Sequence, residues 1–171
     1  MFSKGLEHVC EPYREIVESL LELLLEHFGE RLISLVIFGS VARGESTKES
    51  DLDLLIIIDG LPRSRLKRQE LFIDVEERIE HKVRKMESMG WRIDFSPILK
   101  TPEEASKMTP LYLDMVEDAL IIYDKDRFFE KILLRLMGRL RDLRAERVMV
   151  GRLWYWRLKK DYRFGEVIEI E

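Results

Sequence analysis

The chain has 171 residues, of which 46% are hydrophobic and 36% are charged, with a formal net charge of −4. This composition excludes a disordered protein and predicts one domain with a helical extension. The apolar runs, such as residues 54–58, are far shorter than the roughly 20 residues of a membrane-spanning helix.

The N-terminal segment is amphipathic and acidic, unlike a signal peptide. The single cysteine, Cys10, excludes an internal disulfide framework. We therefore expect a cytoplasmic protein that has no membrane partner.

Charge is distributed unevenly along the chain. Residues 1–126 hold 17 basic and 26 acidic side chains, a net charge of −9, whereas residues 127–171 hold 12 basic and 7 acidic side chains, a net charge of +5. The basic C-terminal segment is explained either by a solvated helix face or by a surface for phosphates or an acidic partner.

The first half of the chain predicts a helix followed by two buried strands. Apolar residues recur at helical spacing up to Gly29, beginning with Leu6, Val9, Tyr13 and Val17. Residues 32–38 and 51–58 are apolar runs typical of buried strands. The polar segment 43–50 lies between them, and the connection 39–50 is either a hairpin-like loop or a brief helix.

The second half predicts further helices around a third strand. Residues 65–88 form a charged amphipathic pattern that ends at Gly90, and residues 91–99 resemble a strand. Pro97 within that strand favours an edge position or a bulge. Thr101 is the expected N-cap of the next helix. Residues 111–118 are predicted to be helical, the run 120–123 is too short to assign, and residues 126–147 are predicted to form another helix.

Helices and strands thus alternate as α-β-β-α-β, followed by helices. This order predicts an α/β (α+β) fold, a sheet flanked by helices with a helical C-terminal extension. The expected division is a domain over residues 1–125 and a helical, basic and aromatic extension over residues 126–171 that packs on it.

Asp51 and Asp53 are the first candidate site residues. They alternate with Leu52 along the predicted strand, so both project from one face with Cα atoms about 7 Å apart. Two like charges on so apolar a strand are unfavourable unless a cation compensates them, and Mg²⁺ binds one or two carboxylates in this way. Capping of a strand end in solvent is the simpler explanation of an isolated D-x-D pair.

Gly39 and Ser40 follow the preceding strand directly. A glycine lets backbone amides approach a phosphate closely, and the Ser40 hydroxyl adds a hydrogen-bond donor. An ordinary turn explains the dipeptide equally well when it is considered alone.

The two motifs together are more informative than either alone. Gly39-Ser40, ten residues and then Asp51-Leu52-Asp53 match the G-S-x10-D-x-D pattern, within the string FGSVARGESTKESDLDLLI. This string resembles the minimal nucleotidyltransferase branch of the DNA polymerase beta nucleotidyltransferase superfamily. The motif covers about 20 residues, and the order of elements extends the resemblance over roughly residues 30–100.

The resemblance implies a nucleotidyltransferase-type mixed sheet and a role for each motif residue. Gly39 and Ser40 would hold the triphosphate of a nucleotide, and Asp51 and Asp53 would hold Mg²⁺ in a two-metal site. Asp94 would be the third carboxylate, which binds the catalytic metal and activates the acceptor hydroxyl. The alternative for Asp94 is a salt bridge to a neighbour such as Arg92 or Lys100.

Two basic residues lie between the motifs, and an aromatic cluster lies near the C-terminus. Arg43 is a candidate nucleotide-binding residue and Lys48 a further one, although solvated loop charges explain both equally well. The cluster contains Trp154, Tyr155, Trp156, Lys159, Lys160, Tyr162 and Arg163. It could stack on bases, but core or interface packing is the commoner use of such residues.

Three functions follow from these residues. The first is a Mg²⁺-dependent nucleotidyltransferase that moves a nucleoside monophosphate, with ATP as the expected donor, to an acceptor hydroxyl. The second, which the resemblance implies, is an antitoxin-like module that neutralises a small helical partner of the HEPN type, with or without AMP transfer. A partner protein or a homodimer would then complete the pocket. The third, nucleic-acid binding, is disfavoured by the negative net charge.

Overall fold

A computed structural model describes residues 1–151, 153–161, 163, 166–168 and 170 of the chain. The helices are α1 (Tyr13–Phe28), α2 (Gly39–Ala42), α3 (Arg65–Ser88), α4 (Pro102–Ala105), α5 (Pro110–Asp118) and α6 (Phe128–Asp142). The strands are β1 (Ser3–Lys4), β2 (Leu32–Phe38), β3 (Leu52–Ile58), β4 (Phe95–Lys100), β5 (Leu120–Asp124), β6 (Glu146–Val150) and β7 (Leu153–Arg157). Short 3-10 turns lie at Leu6–His8, Gly29–Arg31 and Lys125–Arg127.

Five strands form one mixed sheet in the order β1-β5-β2-β3-β4. β2 is antiparallel to β3 and β5, whereas β3 is parallel to β4, and β1 is parallel to β5. The predicted mixed sheet with flanking helices is confirmed. β4 lies at an edge of the sheet, which is the position that Pro97 favours because proline cannot donate to a neighbouring strand.

The alternation of side chains along β3 assigns its two faces to two helical layers. Leu54 and Ile56 are fully buried in the core formed with α1 and α3. Leu55 and Ile57 are fully buried in the second core, formed with α5 and α6. Asp53 has the same parity as Leu55, so its side chain belongs on the face that α5 and α6 cover.

The predicted bounds are confirmed for β2 and α3, whereas those of several other elements differ from the prediction. α1 begins at Tyr13 rather than Leu6, because Pro12 ends the backward extension of the helix and disfavours helical backbone in the residue before it. β3 and β4 begin at Leu52 and Phe95, each one residue after a candidate aspartate. The connection after β2 contains the brief helix, α2, and residues 120–123 lie within a strand, β5.

The predicted helix over residues 126–147 is wrong at its C-terminal end. α6 ends at Asp142, Arg144 adopts a positive φ of 54°, and the antiparallel hairpin β6–β7 follows. Val148, Val150 and the aromatic run 154–156 are residue types that favour strands, so the extension is a helix followed by a hairpin rather than wholly helical. Tyr162 lies outside the described residues, and the division of the chain at residue 125 stays a prediction.

In the part of the chain that the structure describes, no helix is both long enough and apolar enough to cross a bilayer. A cytoplasmic location stays a prediction.

Arg68 joins the start of α3 to α4 and the edge strand β4. Its side chain is only 10% exposed. It donates two hydrogen bonds to the Glu104 carboxylate, at 2.6 and 2.9 Å, and others to the carbonyl oxygens of Pro62 and Leu99. Glu104 also accepts from the Thr101 amide in the capping box that the sequence predicts. These bonds to Arg68 lower the pKa of Glu104 to about 2.

We expect Glu104→Gln to remove part of the loss of stability that the wild type shows in acid. The folded pKa near 2 lies below the ordinary value of 4.5, so the stabilisation is present above the unfolded pKa and is lost as pH falls through the folded pKa. Urea unfolding between about pH 5 and pH 2 measures this. Glu49→Gln, at an exposed loop position, is the control, and equal pH dependence in the wild type and Glu104→Gln would contradict the expectation.

Candidate functional site

Asp53 lies at the start of β3, between two neighbouring strands. Its Cα pairs with that of Phe38 at the end of β2 and with that of Ser96 near the start of β4. Asp51 stands two residues earlier, just before β3 begins. The carboxylate of Asp53 therefore sits where β2 ends, which is where Gly39 begins α2.

Gly39 places its backbone directly against Asp53. A Cβ atom at Gly39 would lie 2.1 Å from the Oδ2 atom of Asp53, and the φ of Gly39 is +74°. Glycine is required here both for the left-handed backbone and for the close approach. The structure thus brings together two of the predicted motif residues that are separated by fourteen positions in the sequence.

Burial and the neighbouring charge of Asp51 raise the pKa of Asp53. Arg43 and a hydrogen bond involving Ser96 act in the opposite direction, but the net shift is upward. The two aspartates therefore form a site in which negative charge is only partly compensated by the described residues. Such a site favours a cation.

Arg43 is the predicted phosphate-binding residue that the structure places beside Asp53. It lines the same cavity of about 210 Å³ as Gly39 and Asp53. Its Nε atom donates to Glu45 at 2.8 Å, and its guanidinium lies 4.9 Å from the ring centroid of Trp154. Lys48 instead lies over the Trp91 ring at 5.9 Å, and it is not among the residues that line this cavity.

Ser40 lies in the first turn of α2 with a partly buried side chain. Its carbonyl oxygen accepts a hydrogen bond from the Glu45 amide at 2.9 Å. No hydrogen bond joins its hydroxyl to another described residue. The predicted contact of Ser40 with phosphate stays a prediction.

Asp94 is joined to the start of β3 through its backbone, and its carboxylate pairs with a neighbouring arginine. Its carbonyl oxygen accepts a hydrogen bond from the Leu52 amide at 2.8 Å. Its carboxylate forms an exposed ion pair with Arg92 at 2.8 Å, the alternative that the sequence left open. The described residues contain no group of three or more acidic, histidine or cysteine side chains arranged to hold a metal ion, so the three-carboxylate site stays a prediction.

Two further acidic residues that no sequence motif indicates lie beside Asp53. Asp114 and Asp118, one helical turn apart on α5, line the cavity of Asp53 and Arg43. Their spacing of four residues marks a shared helix face, but only the packing of α5 shows which structure that face meets.

Tyr13 holds the loop that connects the Gly39-Ser40 motif to Asp51. It is fully buried, and its hydroxyl donates to the carbonyl oxygens of Thr47 and Ser50 at 3.2 and 3.3 Å. Burial raises the pKa of Tyr13, so this donor stays protonated. The sequence indicated only an apolar helix position for Tyr13.

Residues 15–123 match the family model of the nucleotidyltransferase domain. The match covers more than half of the chain and contains every predicted motif residue. The chain belongs to this family. The predicted enzyme class, nucleotidyltransferase, is thereby confirmed.

Two curated proteins are similar in sequence to this nucleotidyltransferase. A putative protein adenylyltransferase of Methanocaldococcus jannaschii is 33% identical over 123 residues, which are 71% of this chain and 78% of the relative. The protein adenylyltransferase MntA of Thermococcus cleftensis is 41% identical over 70 residues, which are 39% of this chain and 64% of that relative.

Two solved structures share part of the architecture at low sequence identity. A toxin–antitoxin complex with AMP-PNP has a TM-score of 0.45 and 17% identity, covering 74% of this chain and 88% of the other. The toxin–antitoxin pair MntA–HepT has a TM-score of 0.40 and 16% identity, covering 76% and 89%.

Proposed function

We propose that this nucleotidyltransferase moves AMP from ATP to a hydroxyl group of a protein acceptor, with a divalent cation as cofactor. The observation that carries the proposal is the Gly39 backbone packed against a partly buried Asp53 whose pKa is raised by burial and by Asp51. This arrangement combines an approach for phosphates with a negative site that a cation would compensate. The names of the curated relatives, protein adenylyltransferases, support AMP and a protein acceptor.

The donor atoms at this end of β3 fit Mg²⁺. Carboxylate oxygens are its preferred protein ligands, and Asp51 and Asp53 would hold it. Asp94 is the proposed third ligand. Its present partner is Arg92 in an exposed pair, and such pairs contribute at most about 1 kcal/mol, so exchanging Arg92 for a cation costs little. When bound, the cation would stabilise the charge that develops on the phosphate oxygens.

The protein groups around Asp53 would bind and orient the nucleotide. Amides at the start of α2, the Ser40 hydroxyl and the Arg43 guanidinium are donors suited to phosphate oxygens. Asp94 would accept the proton of the acceptor hydroxyl while the oxygen of that hydroxyl forms a bond to the α-phosphorus of ATP. The bond between the α-phosphorus and the oxygen that bridges it to the β-phosphate would break. Pyrophosphate would leave with the electron pair of that bond.

The outer face of the β6–β7 hairpin supports a protein acceptor. Val150 and Tyr155 on this face are 62% and 50% exposed, and Val148 pairs with Tyr155 across the strands. Exposed apolar residues of this kind are typical of surfaces that contact proteins. A small helical protein of the HEPN type is the acceptor we propose, which joins the transferase and antitoxin-like functions in one reaction.

Calorimetry with ATP, CTP, GTP and UTP, each with Mg²⁺ and with a chelator, tests the site. We expect Mg²⁺-dependent binding of ATP that disappears in an Asp51→Asn, Asp53→Asn double variant. Asp59→Asn, at an exposed turn beyond the other end of β3, is the matched control and should bind as the wild type does. Equal binding by the double variant and the wild type would contradict the proposed site.

A transfer assay tests the acceptor. Labelled AMP from ATP should appear on a co-expressed helical partner, and hydroxylamine-stable, phosphodiesterase-sensitive label would identify a phosphodiester bond to a hydroxyl. Label on RNA ends or on a small molecule, with none on protein, would contradict a protein acceptor while leaving the nucleotide site intact.

A further inference from the structure

The C-terminal hairpin packs against the candidate site through one of its two faces. Alternation along the strands places Arg147 and Met149 on the same face as Trp156 and Trp154, their partners across the hairpin. This face meets α5, whereas Tyr155 points to the other side. The face that carries both tryptophans is thus directed at the helix that lines the Asp53 cavity.

Two acidic residues of α5 hold the hairpin in place. The indole N–H groups of Trp154 and Trp156 both donate to the Oδ1 atom of Asp114 at 3.1 Å. Arg147 donates two hydrogen bonds to Asp118, at 3.2 and 3.0 Å. Both acidic side chains line the cavity that holds Asp53, so the hairpin engages the negative groups that would otherwise repel a triphosphate there.

Trp154 also contacts Arg43, the cation on the other side of the cavity. The guanidinium of Arg43 lies 4.9 Å from the ring centroid of Trp154, and that of Arg147 lies 4.1 Å from the same ring. Both distances fall within the range of cation–π contacts. Because Trp154 is fixed by Asp114, it restricts the positions open to the Arg43 side chain.

We propose that the β6–β7 hairpin is part of the nucleotide site, and that Trp154 is a positioning residue that holds Arg43 for the triphosphate. The inference rests on the proposed function and extends it to a segment beyond the matched nucleotidyltransferase domain, residues 15–123. The hairpin contributes in two ways: it orients one phosphate-binding cation, and it pairs two carboxylates that face the bound anion. A partner docked on the outer face of the hairpin would leave both contributions in place.

Calorimetric Kd values for Mg²⁺-ATP in Trp154→Leu and Trp154→Phe test the positioning role. Leucine keeps an apolar side chain but lacks both the aromatic ring and the indole N–H, so we expect about fivefold weaker binding. Phenylalanine keeps the ring face but loses the hydrogen bond to Asp114, so its affinity should lie between those of Trp154→Leu and the wild type. Arg157→Ala, on the opposite face of the same strand, is the control and should match the wild type. The indole N–H resonance of Trp156 reports whether the hairpin stays on α5 in each variant.

A double-mutant cycle with Arg43→Ala separates positioning from packing. If Trp154 acts through Arg43, Trp154→Leu weakens binding in the wild-type background but has no further effect when Arg43 is alanine. An equal effect in both backgrounds, or wild-type affinity in Trp154→Leu, would overturn the inference while the proposed function stands. Absence of Mg²⁺-ATP binding by the wild type itself would overturn both.

Discussion

Asp53→Asn is expected to lower AMP transfer by about a thousandfold or more, because it removes a proposed metal ligand and the charge that attracts the cation. Asp51→Asn should have a loss of the same order. The readout is the rate of label transfer from ATP at saturating Mg²⁺. Retention of more than about a tenth of the wild-type rate in Asp53→Asn would contradict a role for this carboxylate at the metal.

The same substitution is expected to raise the melting temperature of the metal-free protein. Burial and Asp51 raise the pKa of Asp53 in the folded state, so the folded protein binds this proton more tightly than the unfolded chain does. The destabilisation due to ionised Asp53 therefore appears as pH rises through the unfolded pKa and the folded pKa, and it is complete above the latter. At neutral pH, Asp53→Asn lacks this destabilisation.

Thermal unfolding with a chelator and with Mg²⁺ distinguishes this mechanism from a simple loss of folding. The wild type should gain stability on addition of Mg²⁺, since a ligand that binds only the folded state stabilises it. Asp53→Asn should melt above the wild type in chelator and respond little to Mg²⁺. Asp59→Asn controls for removal of a carboxylate at the opposite, exposed end of β3. A lower melting temperature of Asp53→Asn in chelator would contradict the electrostatic argument.

The elements that the sequence predicted correctly are those with strong local signals. β2 is a continuous apolar run that ends at Gly39, and α3 has an apolar stripe between its Ser64 cap and Gly90. The neighbourhood of Gly39 and Asp53 was predictable in outline, because two strands joined by a short connection pair with their facing ends together.

The rest of the site depends on contacts between residues far apart in the chain. Asp114 lines the Asp53 cavity only because α5 packs on the second face of the sheet, and its sequence shows no more than a helix. The apolar stripe of α6 predicts a helix as far as residue 147, whereas tertiary pairing of β6 with β7 makes Glu146–Val150 a strand. The partner of the Asp94 carboxylate could not be predicted either. The alternation of side chains along a strand does not show whether this carboxylate pairs with Arg92 or binds a metal.

Gly39→Ala tests whether close approach of the backbone to Asp53 is needed for activity. Alanine at a φ of +74° is strained, and its Cβ would lie 2.1 Å from the Asp53 Oδ2 atom, so the carboxylate must move. A displacement of about 1 Å at a reacting centre can lower a rate about a hundredfold. We therefore expect a loss of about that size in AMP transfer, measured at saturating ATP and Mg²⁺.

Gly44→Ala is the matched control for this substitution. Gly44 has a similar φ of +69°, but a Cβ there would meet no atom within 4 Å. Both variants should lose about 1–2 kcal/mol of unfolding free energy from the left-handed backbone, whereas only Gly39→Ala should lose transfer activity, because only there does the new methyl group displace a carboxylate. Equal activity of the two variants would show that backbone strain alone governs this loop, and that the contact between Gly39 and Asp53 is structural rather than part of the reaction site.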